Sequence, residues 1–132
     1  DVEGKTKDEV LKNLCRKVEQ EKGLPETFTA SVLKREELTP TDYGNLVALP
    51  HPERAFQERA FVAVAVLKEP IFWFRQKVQV VFLTAIGREE DENLQQFYEA
   101  TTDLILRPAD VQNLIRHPDY DRLIQLLRRA EE

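Results

Sequence analysis

The order of segment types along these 132 residues predicts an α/β protein, a three-layer α/β/α sandwich with a small mixed sheet flanked by helices. Three observations carry this. Segments with helical periodicity open the chain, further segments with helical periodicity close it, and short apolar β-branched runs lie between them. No internal repeat or low-complexity linker divides the chain, so residues 1–132 read as a single domain, long enough to bury a core.

Thr6-Lys7-Asp8-Glu9 has the spacing of a capping box, and Val10, Leu11, Leu14, Cys15 and Val18 follow on one helical stripe. They predict a helix from Thr6 to Lys22, stopped by Gly23. Pro25 opens a second helix through Glu37, with Phe28, Val32 and Leu33 facing inward. Thr39 to Asn45, rich in proline, glycine and hydroxyls, reads as a loop.

Val47 to Leu49 is the first expected strand. Phe61 to Leu67 is apolar on both faces, which suits a central strand covered on each side. Val78 to Ile86 is a third, with Gln79 and Thr84 its only polar members. Between the last two, Glu69 to Phe74 reads as a bend or short edge strand. Phe72, Trp73 and Phe74 cannot all face inward on an extended segment, so some of that aromatic surface is expected to be exposed. Asp91 is placed to cap a helix carrying Leu94, Phe97, Tyr98, Thr101, Leu104 and Ile105 on one stripe. Pro108 begins another with Val111, Leu114 and Ile115, and Pro118 begins a last amphipathic helix through Leu127.

Composition excludes several classes. Net charge is −5, from 24 acidic and 19 basic residues, which argues against direct contact with nucleic acid by this domain. The longest apolar run is broken by Lys68, Glu69 and Pro70, so no membrane insertion is expected. The lone Cys15 excludes an internal disulfide and suits a reducing cytoplasm. No Cys/His spacing supports a metal and no glycine-rich loop supports a nucleotide, so neither metal nor organic cofactor is expected. Glu89 to Glu92 reads as solvated acid at a helix start. The chain contains no methionine, and so reads as a domain excised from a longer protein.

The chemistry concentrates at Asn45-Leu46-Val47-Ala48-Leu49-Pro50-His51-Pro52. Only two histidines occur, and His117 sits at an ordinary helix boundary before Pro118. His51 follows a buried strand and lies between two prolines, which restrict the backbone on both sides and give the imidazole a fixed direction. A neutral imidazole nitrogen is nucleophilic near neutral pH, provided the other nitrogen has an acceptor to set the tautomer. Thr39, Thr41, Asn45 and the loop backbone at Gly44 are hydrogen-bond donors within sequence reach of it. Arg54, Arg59 and Arg88 are cations that could face it, and Phe56 is an apolar side chain that could contact a docking partner.

Lys34-Arg35-Glu36-Glu37-Leu38-Thr39-Pro40-Thr41-Asp42-Tyr43-Gly44-Asn45 leads into the Leu-Pro-His turn, and Leu67-Lys68-Glu69-Pro70-Ile71-Phe72-Trp73 follows it. From about Leu24 to Leu127 the chain resembles the fructose/mannitol-type enzyme IIA domain of the bacterial sugar phosphotransferase system. The resemblance implies a mixed sheet flanked by helices. It also implies a phosphohistidine at His51, charged by the histidine phosphocarrier protein and passed on to a cysteine of a IIB domain. Phosphoryl transfer needs mainly positioning and donors for the phosphoryl oxygens, so the resemblance makes Thr39, Thr41 and Asn45 the supporting candidates.

Transport-type members carry a second histidine before a leucine at the start of the helix after the long strand. Here that pair is Asn93-Leu94. Asparagine donates a hydrogen bond but carries no positive charge, so it supports a phosphoryl dianion less, and it serves equally as a solvent-facing first-turn residue. With Asn93 to Glu99, the turn looks more like the IIA-like modules of sugar-responsive transcriptional regulators that carry phosphotransferase-regulated domains. Three functions stay open: a histidine phosphoacceptor acting on the other domains of a parent regulator or antiterminator, a sugar-transport IIA component, and a protein-interaction module that is not phosphorylated. The first is preferred, more regulatory than catalytic.

Overall fold

The computed structural model describes residues 2–89 and 92–129. In chain order the elements are α1 (Lys7–Lys22), α2 (Thr27–Leu38), β1 (Asp42–Gly44), β2 (Leu46–Ala48), β3 (Phe61–Phe72), β4 (Lys77–Ala85), α3 (Glu92–Ile105), α4 (Pro108–Arg116) and α5 (Tyr120–Arg129). The Thr6 hydroxyl accepts the Glu9 N–H at 3.2 Å, while the Glu9 carboxylate takes the N–H of Lys5 rather than that of Thr6. Gly23 ends α1 at φ 67°, the left-handed cap that glycine adopts without a Cβ penalty. The expected cap Asp91 lies outside the described residues.

The sheet runs β1-β2-β4-β3, with β2 parallel to β4 and the other pairs antiparallel. It separates two apolar layers. Val10, Leu11, Leu14, Val18, Phe28 and Val32 pack from α1 and α2 against Ala48, Val81, Leu83 and Ala85. On the other face Val47, Val80 and Phe82 meet Leu104, Val111, Leu114, Leu123 and Leu126 from α3, α4 and α5. The strict alternation of β4 from Val80 to Ala85 thus feeds both layers, each large side chain worth about 1.5–3 kcal/mol of burial. The expected three-layer α/β/α sandwich is what forms.

Two expectations are corrected. β3 is an edge strand and β4 holds the centre. Apolarity on both sides of Phe61–Leu67 reports helices over both faces of the sheet, and says nothing of a neighbour on each edge. Asp42–Gly44, expected inside a loop, pairs as β1 with β2. Three residues containing a glycine carry no alternation to betray a strand. The chain then reverses through Gly44, Asn45 and Leu46, all at positive φ (119°, 49° and 70°). Asn45 tolerates that region, and Leu46 stores backbone strain on the order of 1–3 kcal/mol.

β3 also runs further than expected, to Phe72, by way of a bulge. Val66 pairs with Val80 and Ile71 with Val78, so four residues of β3 oppose only Gln79. The Gln79 amide fills the gap, donating to the carbonyls of Leu67 at 2.8 Å and Lys68 at 3.2 Å. At the end of the strand Trp73 is buried, whereas Phe72 and Phe74 are exposed, as three adjacent aromatics require.

The segment 53–60 folds back over the end of β4. Gln57 donates to the carbonyl of Ile86 at 3.0 Å, and Arg88 and Glu89 N–H groups donate to the carbonyls of Gln57 and Glu58. Gly87 makes the approach possible, because a Cβ there would lie 2.4 Å from the Glu58 oxygen and 2.5 Å from the Ala60 nitrogen, both backbone. Gly87→Ala is accordingly expected to displace this segment and cost about 1–3 kcal/mol in urea unfolding, as overpacking does.

Cys15 is wholly buried in the α1 face of the core. Burial, and secondarily the charge of Glu19, pushes its thiol up to about 12. Thiol reagents are therefore expected not to label it in the folded protein in mildly alkaline buffer. Because the folded value lies above the unfolded one, this contribution to stability is complete below pH 9 and falls by about 1.4 kcal/mol per pH unit toward pH 12. Unfolding curves of Cys15→Ala should lack that increment.

Candidate functional site

β2 and β4 run in the same direction, so their C-terminal ends leave the sheet together, at the edge where parallel α/β folds place ligands. His51 stands there, three residues after β2 ends, and is half-buried. Its turn is tied to three elements. The Leu49 N–H donates to the Thr41 carbonyl at 3.1 Å, next to β1. The buried Pro50 carbonyl accepts the Thr84 N–H from β4 at 3.0 Å. The Ser31 hydroxyl of α2 accepts the Glu53 N–H at 2.7 Å. An X-Pro-His-Pro sequence restricts its own backbone, and these bonds fix where the restricted turn sits.

Within the turn, Nδ1 of His51 faces the Leu49 carbonyl at 3.2 Å. A carbonyl only accepts, so Nδ1 carries the proton and donates. Nε2 then holds the free lone pair. This is the arrangement a nucleophilic imidazole requires, since the nitrogen that attacks must be unprotonated while its partner is anchored.

The structure places the other expected site residues elsewhere. The Thr41 hydroxyl donates to Glu36 at 2.5 Å and the Thr41 N–H donates to the same carboxylate. Asn45 lies at the opposite end of β2 from His51, and its amide donates to the carbonyl of Ile105. Thr39 is exposed at the end of α2, where its carbonyl accepts from the Arg35 guanidinium at 2.9 Å. Among the described residues, no hydrogen bond joins any of the three to His51. Asn93 falls in the first turn of α3, and its side chain lies outside the described residues.

Of the three arginines, Arg88 pairs with Glu58 at 2.9 Å and Arg54 stacks 4.1 Å above the Phe56 ring. Phe56 packs inward. Its ring meets Phe28 edge-on at 5.5 Å, half-buried against the α1 and α2 layer, so it anchors the loop after His51. Sequence reasoning passed over Ser31, Glu36 and Thr84. Thr84 had a signal, as one of two polar residues in an otherwise apolar strand. Ser31 and Glu36 had none, for nothing in a charged, hydroxyl-bearing helix marks which side chain turns inward.

Residues 1–130 match the family model described as phosphoenolpyruvate-dependent sugar phosphotransferase system, EIIA 2. The chain is 36% identical over 119 residues to the probable licABCH operon regulator of Bacillus subtilis strain 168, covering 90% of this chain and 19% of that protein. It is 32% identical over 97 residues to the transcriptional regulator ManR of the same organism, covering 73% and 15%. The chain thus spans less than a fifth of the length of these curated relatives. In fold it is similar to the enzyme IIA of mannitol from Escherichia coli, in the structure of its complex with phosphorylated enzyme IIB, at a TM-score of 0.77 and 18% identity over 95% of this chain and 89% of that one. With the family match spanning nearly every residue and the sheet, helices and histidine turn in place, the chain belongs to the EIIA 2 family of the phosphoenolpyruvate-dependent sugar phosphotransferase system.

Proposed function

We propose that His51 is a phosphoacceptor, charged by the histidine phosphocarrier protein, and that the added charge regulates a longer transcriptional regulator or antiterminator of which this domain is part. The observation that carries the reading is the bond from His51 Nδ1 to the Leu49 carbonyl, which leaves Nε2 as the nucleophile. Nε2 attacks the phosphorus, the N–P bond of the donor phosphohistidine breaks, and the donor imidazole keeps the electron pair. The new phosphohistidine puts a charge of about −2 on a turn tied to three elements, enough to change contacts with neighbouring domains.

In this reading Asn93 supports the phosphoryl oxygens from the start of α3. Thr41 acts one step back, its carbonyl holding the Leu49 N–H, while Thr39 and Asn45 anchor the two ends of the segment 39–45 to α2 and α3. The regulatory role is supported by the two relatives, both named as regulators. Passage of the group to a IIB cysteine is the second reading, favoured by the mannitol IIA neighbour's presence in a complex with phosphorylated IIB. The reading places the domain in the cytoplasm, where the phosphocarrier works, and no helix among the described residues is long and apolar enough to cross a membrane.

The test is incubation with enzyme I, the histidine phosphocarrier and labelled phosphoenolpyruvate. Wild type is expected to take an acid-labile, alkali-stable label that His51→Ala does not. Equal labelling of both would place the acceptor elsewhere, and labelling of neither would leave an interaction module. Adding IIB domains to the labelled protein separates the other two functions: a regulatory module keeps its label, and a transport component loses it.

A further inference from the structure

Glu36 is a carboxylate in the wrong place for an ordinary surface acid. It lies in the last turns of α2 with 1% of its surface exposed, and among the described residues no cation is paired with it. What holds it is a ring of donors. The Thr41 N–H and hydroxyl reach its two oxygens at 2.5 Å each, and the indole N–H of the buried Trp73 reaches it at 3.3 Å. Convergent donors are the condition on which a carboxylate can be buried at all.

From Thr41 the contacts continue to the reactive side chain. Glu36 holds the Thr41 N–H, the Thr41 carbonyl holds the Leu49 N–H at 3.1 Å, and the Leu49 carbonyl faces His51 Nδ1 at 3.2 Å. Each residue in this path is fixed at one end by the bond before it and presents its other end to the next. The result works against a chemical preference. A free imidazole carries its proton mainly on Nε2, the nitrogen that must be bare to accept a phosphoryl group. One carbonyl, held in place, has to reverse that preference.

We infer that Glu36 is a positioning residue for His51: through Thr41 and Leu49 it holds the carbonyl that keeps the imidazole proton on Nδ1. The effect on rate rests on the phosphoacceptor reading above; the effect on the tautomer does not. Glu36 is buried away from the surface a partner could reach, so the consequence falls on the reacting geometry and not on docking.

The experiment compares wild type, Glu36→Gln and Trp73→Phe, using nitrogen NMR of the His51 imidazole and steady-state phosphorylation by the histidine phosphocarrier. Glutamine sets an NH₂ against a ring of donors, so the hold on Thr41 loosens. Trp73→Phe removes a donor to Glu36 and leaves both Thr41 bonds intact. In wild type the proton should reside on Nδ1. In Glu36→Gln it should shift toward Nε2, and kcat should fall roughly ten- to a hundredfold with KM for the phosphocarrier unchanged. Trp73→Phe should keep the wild-type tautomer. If Glu36→Gln does not fold, Glu36→Asp carries the same comparison, since it keeps the charge and withdraws it by one methylene.

A wild-type tautomer in the Glu36 variant overturns the inference. So does an equal shift in Trp73→Phe, which would report general loosening of the core. If wild type itself takes no phosphoryl group, the phosphoacceptor reading fails while the tautomer ratio still decides this one.

Discussion

The parallel pairing of β2 with β4 is the constraint from which the rest follows. β2 has only three residues, too few to hold a position by its own burial. It borrows definition from β4, whose side chains enter both apolar layers and are buried from Val78 to Ala85. Because the two strands point the same way, whatever follows β2 emerges beside the end of β4. That is how a Thr84 at the last turn of one strand comes to hold the Pro50 carbonyl just beyond the other. The turn bearing His51 is thereby clamped to the most deeply packed of the four strands.

The same logic explains which parts of the protein were legible in the sequence. Helices announced themselves because an amphipathic stripe and a cap are local, and α1 begins and ends where Thr6 and Gly23 say it should. The fixed turn around His51 was legible because two prolines and a short apolar strand are local as well. Position within the sheet was not. A run such as Phe61–Leu67 records what lies above and below it, and edge or centre is decided by partners far away in the chain. β1 was invisible for a related reason: its pairing depends on three consecutive positive φ values, which Gly44 permits but does not advertise.

Polar contacts around the site were the least legible part. The candidate donors Thr41 and Asn45 were chosen for chemistry and for nearness in sequence, and both are turned toward other partners. The side chains that do tie the turn come from α2 and β4, at separations of 22 and 34 residues. A hydroxyl that caps a distant N–H looks the same in sequence as one facing water. Burial decides between them, and burial belongs to the assembled fold.

The bulge in β3 has a consequence for the open edge of the sheet. An edge strand offers unpaired backbone groups to any extended segment that drifts past, including one from a neighbouring domain or a second molecule. Here the exposed stretch Lys68-Glu69-Pro70 interrupts that edge with two opposite charges and a residue lacking an N–H, while Gln79 keeps two of its carbonyls occupied from within. Strand-by-strand growth along the far half of β3 is blocked by the same residues that let the strand bend. The fold can therefore leave an open sheet edge beside other protein without inviting aggregation.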